Sequence, residues 1–216
     1  MGAITRSIAN NITTSGVFTS SAINNASVTG ITVLPNAEDG ITLISSQTAS
    51  ASATISFTTG IDSTYKAYKF VFVNMHPATN EAEFEFNMST DGGSNYNVTK
   101  TSTYHRAEHF EDGTNGALAY ATQRDLAQST TFQDLVADQS NANDASASGT
   151  LTLFNPSSTT YVKHFIAVSN YMGSVPFTQN SFVAGYGNTT SAVNAVRFQM
   201  TTGNIDAGTI YLYGIK

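Results

Sequence analysis

The 216 residues carry a formal net charge of −6, 11% of them are charged, and none is cysteine. A cysteine-free chain has no disulfide framework, no thiolate zinc site and no cysteine nucleophile. Its nine Lys and Arg are scattered rather than clustered, so the electrostatic footprint of a nucleic-acid binder is missing.

An average soluble domain has about 25% charged residues. Here Ser, Thr and Asn take that place, which gives an uncharged, hydrogen-bonding surface suited to packing against other proteins. A domain of this length buries roughly 70% of the surface its unfolded chain exposes, so it needs no staple. The first residues, MGAITRSIANNITTSG, contain no apolar run of the secretory kind. Arg6 stands where a myristoylation signal needs Ser or Thr. No stretch approaches the ~18 apolar residues of a membrane helix. The expectation is a chain with no secretory leader and no membrane partner.

Residues 1–35 place isolated apolar side chains in a Ser/Thr/Asn background: Ile4, Ile8, Ile12, Val17, Ile23, Val28 and Ile31. The background residues are poor helix formers. The segment reads as an extended arm that docks on neighbouring subunits, anchored by Ile4, Ile8, Ile12, Val17 and Phe18. A disordered tail is the alternative. Pro35-Asn36 closes the arm.

From residue 40 the apolar period is two. Short strands are expected over 41–45 and 53–58. In residues 68–75, Tyr68, Phe70 and Phe72 point one way and Val71, Val73 and Met75 the other, which marks a central strand. Phe84, Phe86 and Met88 alternate with Glu83, Glu85 and Asn87, as in a half-exposed strand. Residues 89–96, with Asp91-Gly92-Gly93 at their centre, signal a hairpin, and 96–103 the returning strand. Between 105 and 148 the signal weakens: one or two helical turns are expected over 118–126, a strand over 132–136 and a loop over 141–149. Strands follow over 150–154, 161–170, 182–186, 195–201 and 209–215. About nine strands with turn signals between them, and no internal repeat, predict an all-β antiparallel sandwich of jelly-roll type over residues 36–216.

Candidate chemistry is sparse. His105-Arg106-Ala107-Glu108-His109 matches H-x-x-E-H, an inverted zinc-protease pattern that needs both imidazoles on one helical face. No Glu follows Glu111 to supply the usual third ligand, and the segment reads as an exposed loop. A weaker version has His105 and His109 holding a metal at a subunit contact. Residues 89–96 resemble an Asp-box, S-x-D-x-G-x-x-aromatic, which in sialidases is a repeated structural hairpin outside the catalytic site. There is one copy, with four Arg in the whole chain, so the expected role is a turn closed by Asp91. Glu83 and Glu85, with Glu81, Glu108, Glu111 and Asp112, offer carboxylates for glycoside cleavage. A carboxylate row on a strand reads first as a solvated face. Tyr65, Tyr104, Tyr171 and Tyr186 lie near turns, where they either stack on sugars or pack inward. There is no G-x-S-x-G elbow, phosphate loop or D-x-D-x-D calcium loop.

The ending of residues 208–216, GTIYLYGIK, looks like that of many tailed-phage virion proteins, as does YKFVFVNM (68–75) combined with the Asp-Gly-Gly-Ser turn. Residues 40–216 thus resemble jelly-roll structural proteins of tailed phages, especially marine and cyanobacterial ones: capsid decoration (cement) proteins, head fibres and tail-fibre modules. The resemblance implies a virion location, a homotrimer, an anchoring N-terminal arm, contact with the major capsid protein or other virion proteins, and no catalytic residue or cofactor. The expectation is a capsid decoration protein. The alternative is a receptor-binding tail-fibre or carbohydrate-binding module facing a host glycan, and the third class is an enzyme seeded at His105–His109.

Overall fold

Alternation of apolar and polar side chains drives strands to bury one face, and a sheet so built needs a second layer. The computed structural model describes residues 40–216. The expected arm over 1–35, its anchors Ile4, Ile8, Ile12, Val17 and Phe18, and the boundary at 35/36 lie outside the described residues. Within them are twelve strands and no helix: β1 (Ile41–Ser52), β2 (Thr54–Phe57), β3 (Ala67–Pro77), β4 (Ala82–Ser89), β5 (Lys100–Phe110), β6 (Gly116–Tyr120), β7 (Gln133–Gln139), β8 (Ala147–Phe154), β9 (Lys163–Met172), β10 (Phe177–Gly187), β11 (Ala195–Met200) and β12 (Ile205–Ile215).

They form an eight-stranded sheet, β1-β12-β3-β8-β9-β10-β5-β6, and a four-stranded sheet, β2-β11-β4-β7. All pairings are antiparallel. Four of them are nested: β1 with β12, β2 with β11, β3 with β8 and β4 with β7. This is one long hairpin rolled so that successive pairs alternate between the sheets, the jelly-roll arrangement. Strands β5 and β6 are inserted between β4 and β7, and β9 and β10 between β8 and β11. The four inserted strands widen the larger sheet beyond β8.

The core is aromatic. Tyr68, Phe70 and Phe72 of β3 face Phe84 and Phe86 of β4 and Phe198 of β11, all buried. The Phe198 ring stands 5.3 Å from Phe70, 5.6 Å from Phe84, 6.3 Å from Phe57 and 6.4 Å from Phe86. Gly149 of β8 lets the sheet close: a Cβ there would sit 2.3 Å from the Val168 carbonyl oxygen and 2.7 Å from the Phe72 ring.

Several expectations are corrected. Asn74 takes a left-handed conformation (φ 53°), and the β3–β8 register shifts between Phe72 and Met75. That bulge turns Met75 inward, while Val73 stays exposed. β1 continues to Ser52, because its Ser/Thr-rich half pairs along the whole of β12. Residues 118–126 form no helix: 118–120 belong to β6, paired on β5. Residues 89–96 make no hairpin. β4 lies in the smaller sheet and β5 in the larger, so the segment turns a corner between layers, and β5 starts at Lys100.

Asp91 does close that corner. The Ser89 hydroxyl donates to its carboxylate at 2.7 Å, and the Asn95 side chain and backbone N–H donate at 2.8 and 2.9 Å. These bonds hold the Asp91 carboxyl down to about 2. Gly93 (φ 91°) is required there, since a Cβ would meet the Tyr96 hydroxyl at 2.6 Å. Tyr96 in turn lies under the Arg197 guanidinium at 4.0 Å.

Phe198 joins both layers, so its truncation opens a cavity that neither sheet can close. Phe198→Ala is expected to cost about 3–5 kcal/mol in chemical denaturation, and Phe198→Leu less than about 1.5 kcal/mol.

Candidate assembly surface

Strand alternation fixes which side chains leave the larger sheet on its outer face. Cross-strand register then lines them into rows. One row crosses all eight strands: Ser46, Tyr211, Val71, Thr150, Val168, Phe182, His105 and Tyr120. The next runs Leu43, Tyr213, Lys69, Thr152, Ile166, Ala184 and Thr103. Lys69 is the one Lys, Arg, Asp or Glu in the two rows. Phe182 is 45% exposed, Ile166 41% and Leu43 54%. The rows mix apolar side chains with Ser, Thr and Tyr hydroxyls, and this charge-poor face is the candidate assembly surface.

Beside the band lies an open groove of about 590 Å³ lined by Phe154, Asn155, Thr160, Tyr161, His164 and Thr190. Tyr161 is 69% exposed above it. Of the tyrosines singled out from sequence, Tyr104 and Tyr171 are buried and Tyr65 packs edge-on against Tyr68 at 5.8 Å. Only Tyr186 reaches the outer face, 6.1 Å from His164. The exposed aromatics that sequence reasoning missed are Tyr120, Phe154, Tyr161 and Phe182. Residues 161–170 alternate apolar side chains on both faces, so nothing local separates Ile166 and Val168, which face out, from Phe165 and Ala167, which face in.

The H-x-x-E-H segment is neither the helix its chemistry needs nor the expected loop. It lies on β5. Four residues along a strand separate His105 from His109 by about 13 Å, and alternation sends Glu108 to the opposite face. One chain cannot bring both imidazoles to one ion. His105 instead packs against the Tyr120 ring at 5.1 Å, and Glu108 pairs with Arg106 at 3.6 Å. Among the described residues no group of three His, Asp or Glu is placed to hold a metal.

The carboxylate row on β4 is not a solvated face. Arg124, on the β6–β7 connection, donates to Glu83 at 3.1 Å, to Asp134 at 2.9 Å and to Asp138 at 2.9 and 3.0 Å. Thr201 also donates to Glu83. Burial pushes Asp134 up to about 6 against the pull of Arg124. Glu85 is buried beside them and accepts a hydrogen bond from Gln199 at 2.7 Å. Burial raises its carboxyl to about 7. Lys100, buried on β5, donates to Asn87 at 2.6 Å and to the Val98 carbonyl at 3.0 Å, and burial lowers its ammonium to about 7. One arginine among three acids is a structural clamp. It offers no pair of free carboxylates for glycoside cleavage.

A raised carboxyl makes the folded chain hold a proton that the unfolded chain releases. Stability therefore falls as pH rises from the ordinary Glu value of 4.5 to about 7 on account of Glu85. Glu85→Gln is expected to match the parent in urea midpoint at pH 4 and to exceed it at pH 8. An unchanged difference between the two pH values would show that Glu85 titrates normally.

No family model, no curated protein and no solved structure matches the chain.

Proposed function

We propose that the protein is a bacteriophage virion structural protein, a capsid decoration (cement) protein that works as a homotrimer on the major capsid protein. The observation that carries the reading is the charge-poor band of apolar and hydroxyl side chains across the outer face of the eight-stranded sheet. One row crosses all eight strands and the other seven, and Lys69 is the one Lys, Arg, Asp or Glu in them. The C-terminal and β3 motifs supply the virion context through their resemblance to phage jelly-roll proteins. The mechanism is added buried area at lattice junctions, worth roughly 25 cal/mol per Å² of apolar surface. The arm over residues 1–35 adds anchors through Ile4, Ile8, Ile12, Val17 and Phe18.

A second reading is a receptor-binding or carbohydrate-binding module. The groove under Tyr161 favours it, because an exposed ring above Asn155, Thr160 and Thr190 offers a stacking face with neutral hydrogen-bonding groups. Glycan-array binding that is lost in Tyr161→Ala supports this reading over the first.

Deleting residues 1–35 is expected to abolish attachment to capsids while circular dichroism and thermal unfolding still report a folded sandwich. Retained attachment would remove the arm from the account.

A further inference from the structure

Strand edges expose unpaired N–H and C=O groups, and stable β-proteins blunt them with brevity, charge, proline, bulges or covering segments. The two sheets have four edges. β2 is four residues long. β7 is bent at Asp138 (φ 48°) and covered by the Ser174 N–H, which donates to the Asp138 carbonyl, and by the Gln139–Gly173 bridge. β1 is bulged between Leu43 and Ser45 and turns at Ala51 (φ 49°).

β6 has none of these devices except modest length. Its sequence, Gly-Ala-Leu-Ala-Tyr, has no charge and no proline, and its register with β5 is unbroken over five pairs. Leu118 is 84% exposed, the largest exposure of any bulky apolar side chain among the described residues. The Ala121 N–H donates to the Tyr104 carbonyl and the Phe110 N–H to the Asn115 carbonyl. Odd-numbered residues therefore face β5. Gly116, Leu118 and Tyr120 turn their backbone groups to the open side.

We propose that β6 pairs with β6 of a second copy, antiparallel about a two-fold axis at Leu118. Symmetry then sets Leu118 opposite Leu118, Ala117 opposite Ala119, and Gly116 opposite Tyr120. The edge is complementary to itself in this register. Gly116 has no side chain, and Tyr120 of the other copy covers the gap beside His109, whose ring already lies 3.2 Å from where a Gly116 Cβ would be. The small alanines occupy the close, non-hydrogen-bonded pairs, and no like charges meet. Tyr120 is already oriented, its hydroxyl donating to Asp125 at 2.5 Å. The Asn115 side chain, which accepts from the Gly116 N–H at 2.8 Å, gives way to the Tyr120 carbonyl of the second copy. Sliding the axis to Tyr120 would stack ring on ring and leave Leu118 without a strand partner. The contact joins two eight-stranded sheets into one, and it needs no capsid, so it stands or falls apart from the virion reading.

Because the chain has no cysteine, one introduced thiol reports the register without background. Facing Cα atoms of a hydrogen-bonded antiparallel pair are about 5.5 Å apart, within disulfide reach. Mild oxidation of the purified full-length Leu118→Cys protein is expected to give covalent dimers. The single variants Ala117→Cys and Ala119→Cys should link far more slowly than their double variant, and Ser63→Cys, exposed on the β2–β3 connection, should not link. Leu118→Lys is expected to weaken self-association by about tenfold in sedimentation velocity, with an unchanged circular dichroism spectrum. Linking at Leu118 no faster than at Ser63, or self-association indifferent to Leu118→Lys, overturns the proposal.

Discussion

A four-stranded sheet has to cover the inner face of an eight-stranded one, and the rest of the molecule is arranged around that mismatch. Aromatic packing reaches as far as β9, where Phe86 meets Phe165 at 5.1 Å. Beyond it the inner face of β10 and β5 changes chemistry. Tyr104 shares a hydrogen bond with Ser181 at 2.6 Å, Gln179 donates to Tyr171, and Ser102 donates to Gln133. The cover here is β7 and the irregular run from 121 to 132, whose backbone bonds to β5 at Ser102 and Lys100. A loop brings polar backbone against the strands it packs on, so the layer beneath it is polar and hydrogen-bonded. Arg124 serves the same end by tying that loop to Glu83, Asp134 and Asp138.

The widening that creates this burden inside creates a broad face outside. In a sandwich of two equal sheets each outer face is four strands wide. Here the inserted strands double one of them, and Ile166, Val168, Phe182 and Ala184 set an apolar cluster on it beside Thr103 and His105. Inner polar seam and outer apolar band are two sides of the same strands. The proposed assembly role rests on that arrangement.

The sequence reveals the sandwich because β3, β4, β11 and β12 each place aromatic or branched residues at every second position toward one core. It hides three things. Left-handed turns inside strands, as at Asn74, reverse the alternation without a glycine to announce them, so Met75 reads as outward. Residues 118–126 read as one or two helical turns, whereas the pairing that decides the matter is with β5, outside that window. Lys100 and Lys163 are buried, each satisfied by backbone carbonyls or an amide that only the fold brings near. The candidate surface was the least legible of all. Its residues lie on eight strands and are joined only by register, and the motif that did stand out, His105 to His109, is split across two faces by strand geometry.

The proposed function requires the outer face of the eight-stranded sheet to be a protein contact. The decisive experiment is to mix the purified protein with phage capsids, the partner proposed for it, and to reconstruct the particles by cryo-EM. The account predicts density in which the rows through Phe182 and Ile166 lie against another subunit. A sandwich whose Phe182 and Ile166 rows face solvent in the intact particle would contradict it.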